Sequence, residues 1–133
     1  MPDARRVSVN ADLDIVAARA EGRNLAQEMG FSIVDQARIA TVISELARNV
    51  VLHAHCGQIL MEQIKVGDKV GIQIVCEDQG PGISDLDQIL QVDEANGRLS
   101  HMGLAGAKRL MDELEIESQV GLGTTVKVCR WLS

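Results

Sequence analysis

An α+β fold in two layers, with helices laid over one face of a sheet, is what this sequence predicts, and three observations predict it. Strand-like runs come in consecutive pairs, the helical stretches are grouped apart from those pairs, and 133 residues suit one domain with one core. Strict alternation of strand and helix would instead point to a doubly wound parallel sheet. Apolar residues make up 46% of the chain, enough for that core, and with Phe31 and Trp131 as the only aromatics it must be built from Leu, Ile, Val, Ala and Met.

The elements follow in order. Arg5 to Val9 reads as a short edge strand. Asp12 is a candidate N-cap for a first helix running to about Met29, because Ile15, Ala18, Gly22, Leu25 and Met29 recur at helical spacing. Gly30 ends it as the residue after the C-cap. Ser32 opens a second helix, with Asp35 three residues on as a weaker form of the capping box. Its apolar face is Ile43, Leu46, Ala47, Val50, Val51 and Ala54; roughly 20 residues would span about 30 Å before Gly57 stops it. Ile59 to Val66 is mostly β-prone, and Val70, Ile72, Ile74 and Cys76 alternate with Gly71, Gln73, Val75 and Glu77 in a period of two. Gly67-Asp68 between them reads as a hairpin turn.

From Ile83 to Met102 the pattern weakens, with a helical turn near Leu86 to Leu90 broken by Asn96-Gly97. A connection of about 20 residues is long against a median of roughly 4–6, and such segments are usually lids or disorder. A third helix starts near Gly103 and carries Leu104, Ala107, Leu110, Met111 and Leu114 on one face. Glu115 to Val120 and Thr124 to Leu132 close the chain as two strands joined by a Gly-Leu-Gly turn.

Composition removes several function classes. A net charge of −6 opposes nucleic-acid binding, since phosphates need a basic surface, and the chain lacks aromatic platforms for stacking bases. No apolar run is long enough to span a bilayer and no signal-peptide pattern opens the chain, so the cytoplasm is the expected location. Cys56, Cys76 and Cys129 fit no zinc spacing; Cys76 and Cys129 lie in apolar alternating runs and read as buried thiols. His53 and His55, two apart, point away from each other on a helix. There is no Gly-x-x-x-x-Gly-Lys-Ser/Thr loop, and no His-Arg-Asp or Asp-Phe-Gly signature.

Four segments carry chemistry. Glu45 and Asn49 stack one turn apart on a helix face shared with Arg38 and Val42. A carboxamide beside a carboxylate suits magnesium, which takes one or two protein oxygens and keeps the rest for water and phosphate. Asp78-Gln-Gly-Pro-Gly82 puts an acid at a strand end, where it can accept from an exocyclic amine such as adenine's, and Gly80 and Gly82 permit close approach. Gly103-Leu-Ala-Gly106 opens a helix whose free N–H groups favour phosphate, with Lys108 to add charge. Gly121-Leu-Gly-Thr-Thr125 is a glycine turn ending in hydroxyls. Singly, each also reads as ordinary structure: a solvated helix face, a tight turn, a close-packed helix start, a plain hairpin. Their order along one chain is what distinguishes them.

That ordered set resembles the four nucleotide-binding boxes of the GHKL ATPases, the superfamily of gyrase, MutL and the ATP-binding domain of histidine kinases. Closer still, Asp14-Ile-Val-Ala-Ala-Arg19, Asp35-Gln-Ala-Arg38, Ile43-Ser-Glu-Leu-Ala-Arg-Asn49, Glu77-Asp-Gln-Gly-Pro-Gly82 and Lys108-Arg-Leu-Met-Asp-Glu113 resemble the switch serine/threonine kinases of the bacterial stressosome, near relatives of anti-sigma factor kinases. The resemblance spans nearly the whole chain. It implies a single domain, residues 1–133, with a mixed sheet covered by three helices and an ATP lid at about 83–102. It implies ATP and Mg2+ as cofactors, with Asn49 on the metal and Glu45 activating a target hydroxyl. Asp78 would read adenine in a pocket shaped by Gly80 and Gly82, Gly103 and Gly106 would contact phosphates, and Thr124 or Thr125 would support the base. The implied partners are STAS-domain antagonist and scaffold proteins, phosphorylated on Ser or Thr, and a PP2C-type phosphatase activated in turn; an anti-sigma factor role and a non-catalytic binding switch are the alternatives. Where the family carries Gly-x-Gly-x-Gly at the end of the lid, this chain has Leu99-Ser-His-Met-Gly103.

Overall fold

The computed structural model describes residues 4–54, 56–78, 107–119 and 123–132. The expected lid, together with Gly80, Gly82, Gly103, Gly106 and the Gly-Leu turn at 121–122, lies outside them. Strand β1 (Arg5–Val9) leads into α1 (Asp12–Met29) and α2 (Ile33–Asn49), and the chain then runs through β2 (Gly57–Val66), β3 (Lys69–Asp78), β4 (Glu113–Gln119) and β5 (Gly123–Trp131). The strands form one sheet in the order β1-β2-β3-β5-β4.

Every described pairing is antiparallel, which corrects the expected mixed sheet. The connections explain it. Two strand pairs are joined directly, and between β1 and β2 the chain makes two helical passes, so β2 starts at the end where β1 stopped: Val9 lies opposite Gly57. A parallel neighbour would need a single crossover helix.

Among the described residues, α1 and α2 pack on the same face of the sheet. From α1, Ala18, Leu25 and Ala26 are buried, and from α2 Ile39, Val42, Ile43, Leu46 and Ala47; Ile59, Met61, Ile72, Ile74, Val126 and Val128 meet them from the sheet. Gly22 is where the two helices interlock, since a Cβ there would sit 1.9 Å from Ile43 Cδ1. Gly30, at φ 95°, turns the chain out of α1 as expected.

Several boundaries differ from expectation. The N-cap of α1 is Ala11, not Asp12. Ala11 has no side-chain acceptor, and the Asp14 carboxylate takes over by accepting the N–H groups of Asn10 at 2.8 Å and Ala11 at 3.2 Å. Ser32 does cap α2, its Oγ accepting the Asp35 N–H at 3.1 Å. Half of the box is missing, because the Asp35 carboxylate instead accepts from Arg38 and Arg130. The second helix is α-helical only to Asn49 and continues as a π-helical turn, Val50–Ala54. Gly57 is therefore the first residue of β2 rather than a helix stop. Residues 107–110 are helical and Leu114 already belongs to β4, paired with Val128. The alternation Glu113-Leu-Glu-Ile-Glu117, with its acids exposed, overrides the helical spacing there. Among the described residues no helix is long and apolar enough to cross a membrane.

Candidate functional site

The end of α2 and the ends of β3 and β5 meet at one edge of the sandwich. On α2, Glu45 and Asn49 are half-buried; Arg38 on their face is exposed while Val42 is in the core. The pair thus borders the core instead of facing open solvent. Arg48 Nη1 stands 3.4 Å from Glu45 Oε1, a surface-type pair one turn along the helix. The Asn49 Nδ2 is buried and finds no hydrogen-bond partner among the described residues. Most buried polar groups are paired, so an orphaned carboxamide marks a place where a further group belongs.

Strand β3 delivers Asp78 beside that helix end. Asp78 lies opposite Gly57 on one side and Thr124 on the other. Its Oδ1 accepts the Thr124 N–H at 3.2 Å, which fixes the carboxylate at the sheet's edge. Thr124 is buried, at 8% exposure. Thr125 pairs with Glu77 and so points to the other face of the sheet, away from Asp78. Of the two threonines, Thr124 is the one on the face that Asp78 shares, joined to it through its backbone N–H.

The layers are tied together just behind the site. Cys76, two residues before Asp78 on the same face, places its thiol 3.8 Å from the carbonyl oxygen of Leu46, the neighbour of Glu45. Burial, reinforced by the negative charges of Asp78 and Glu77, pushes the Cys76 thiol up from 9.0 to about 12. It stays protonated and serves as a weak donor and filler, not a nucleophile. Neither Cys76 nor Gly57 carried a functional signal in the sequence; their contribution comes from register and close approach.

The donor set fits a magnesium ion. Among the described residues no cluster of three or more His, Cys, Asp or Glu could hold a metal by itself. The Asn49 carboxamide oxygen, beside the Glu45 carboxylate, is the kind of ligand that suits an ion retaining water and binding phosphate oxygens, while the unpartnered Nδ2 is a donor and suits an acceptor such as a phosphate oxygen. Lys108 is exposed on the helical turn at 107–110, the first described residues after the lid.

The histidine kinase-like ATPase domain matches residues 9–130. The chain is 48% identical over 132 residues to the serine/threonine-protein kinase RsbT of Bacillus subtilis, covering 99% of both chains. It is 30% identical over 121 residues to an anti-sigma F factor of Thermoanaerobacter, covering 86% of this chain and 83% of the relative. In fold it matches the crystal structure of the RsbU and RsbW domains of a Mycobacterium tuberculosis protein with a TM-score of 0.66 at 21% identity, over 99% of this chain and 34% of that one.

Proposed function

We propose that this chain, which belongs to the histidine kinase-like ATPase family, moves the γ-phosphoryl group of ATP onto a Ser or Thr of STAS-domain antagonist and scaffold proteins, and that on release from them it activates a PP2C-type phosphatase. It is a protein kinase of the serine/threonine class and of the partner-switching type. The observation that carries the finer reading is 48% identity over 99% of both chains to a kinase of that class. On this reading the chain is one ATP-binding domain that works in the cytoplasm, where its protein partners are.

Each residue then has a task. Asp78, held by the Thr124 N–H, accepts from the exocyclic amine of adenine and so selects the base. Asn49 offers its carboxamide oxygen to magnesium, which when bound neutralises charge on the phosphates. Glu45 accepts the proton of the incoming hydroxyl, and the α2 backbone keeps it one turn from Asn49. Gly80 and Gly82 leave room beside the base, and Gly103 and Gly106 give N–H groups to phosphate. Such transfer depends chiefly on positioning and charge neutralisation.

A second reading makes partner exchange the main output, with phosphoryl transfer slow. One observation favours it: Leu13 is 82% and Val16 65% exposed on α1, beside the exposed Arg19 and Arg23. An apolar strip flanked by arginines suits a docking surface better than a solvated one. The experiment is to mix the protein with Mg-ATP and candidate STAS proteins and map phosphosites by mass spectrometry. Modified Ser or Thr on a STAS partner is the expected result. A sigma factor retained in a pull-down, with STAS proteins untouched, would point to the anti-sigma role instead.

A further inference from the structure

We propose that Gly57 is a positioning residue for the nucleotide site, setting by its missing side chain the separation between the Asn49 end of α2 and Asp78; this rests on the nucleotide-binding reading above. Gly57 opens β2 opposite Asp78, and its place in the alternation with Ile59 and Met61 turns it toward the helices. A Cβ there would lie 2.5 Å from the Glu77 carbonyl oxygen, 2.9 Å from Val50 Cγ1 and 3.2 Å from Asp78 Cβ. The first is the carbonyl of the peptide that leads into Asp78. The second belongs to the residue after Asn49. The third is on Asp78 itself.

All three contacts therefore act on the site. Val50, 1% exposed, fills the space that any other side chain at position 57 would claim. The chain leaves α-helical geometry at that residue, where the π-helical turn begins. An added methyl must push the helix end away from the sheet, or push the end of β3 away from β2, and either movement separates Asn49 from Asp78. One helical turn earlier α2 is already in contact with β3, the Cys76 thiol lying 3.8 Å from the Leu46 carbonyl oxygen, so the added methyl acts at the end of α2, next to the site.

The test titrates a non-hydrolysable ATP analogue, with and without Mg2+, into folded wild type, Gly57→Ala and Val50→Ile. The last variant keeps the glycine and enlarges the same contact from the helix side. Gly57→Ala is expected to weaken analogue binding by the folded fraction on the order of tenfold to 10²-fold, and to shrink the gain that Mg2+ gives, because base and metal groups are no longer in register. A residue needed only for stability would lower the melting temperature and leave both quantities unchanged in the folded fraction; that result overturns the inference. If Gly57→Ala does not fold, Val50→Ile decides: weaker, less Mg2+-dependent binding upholds it, and wild-type binding overturns it. Wild type that binds no analogue would overturn the nucleotide reading itself, a result distinct from wild type and variants binding alike.

Discussion

Glu45 lies half-buried on α2 at the border of the core, and Cys76 is sealed behind it, its thiol 3.8 Å from the carbonyl oxygen of the next residue, Leu46. Replacing Glu45 with Ala removes the proposed proton acceptor but leaves Asn49 and Asp78 in place. Phosphoryl transfer to a STAS substrate should fall by about 10²–10⁴-fold with nucleotide affinity retained, read from single-turnover rates beside a binding isotherm. Transfer at the wild-type rate would remove Glu45 from that role. The Cys76 thiol gives a pH dependence of defined sign. Its folded value of about 12 lies above the usual 9.0, so the folded chain keeps a proton that the unfolded chain gives up. Its contribution to stability is whole below pH 9.0 and is lost as pH rises toward about 12, so melting temperature should decline across that window. Alkylation near neutral pH should label exposed Cys56 and spare Cys76 until the chain unfolds. The sequence pointed to Glu45, Asn49 and Asp78 because helical spacing and a strand-end acid are local patterns, and to Thr124 and Thr125 alike because both follow a glycine turn. Gly57 and Cys76 stayed silent because their importance depends on which strand residue lies opposite which, and register has no signature of its own here.

Elements were readable where one period dominates. The α2 stripe and the β3 alternation placed both with small errors at their ends. The π-helical turn was not readable, since Val50, Val51 and Ala54 continue the apolar spacing of α2 and nothing in them announces a wider turn. The start of α2 gives two measurable quantities. Ser32→Ala removes the acceptor for the Asp35 N–H and should cost about 1 kcal/mol in chemical denaturation. Asp35 matters more, because its Oδ1 accepts from Arg130 at 2.9 Å, with both side chains 18% exposed, while Arg130 Nη1 donates to the Leu110 carbonyl oxygen at 2.8 Å. That guanidinium ties α2, β5 and the helical turn at 107–110 into one unit, and its Nε is already without a partner among the described residues. Asp35→Ala should therefore cost about 1.5–3 kcal/mol, the worth of charge-assisted hydrogen bonds in a partly buried setting. A loss no larger than that of Ser32→Ala would mean that Arg130 finds another acceptor.

At the scale of the molecule, the described residues form a five-stranded antiparallel sheet with two long helices on one face, and α2 and β3 end where β5 begins, at one edge. Fold class was readable because paired strands and grouped helices leave few arrangements; the mixed sheet was an expectation from the family resemblance, whereas the two helical passes between β1 and β2 already favour an antiparallel pair. Both sheet edges carry charge, with Arg5 and Arg6 on β1 and Glu113, Glu115 and Glu117 on β4, a composition that discourages edge-to-edge pairing. On the proposed function, Asp78 at the end of β3 and Asn49 at the end of α2 bind adenine nucleotide with magnesium. The most direct measurement is calorimetric titration of Mg-bound ATP analogue into wild type and Asp78→Asn. The Asn variant can still accept the Thr124 N–H but presents an amide donor to a donor on the base. The account predicts saturable 1:1 binding by wild type and a loss on the order of 10–100-fold in the variant, the cost of losing a charged acceptor. Equal affinity in the two proteins, or no binding by wild type, would contradict it.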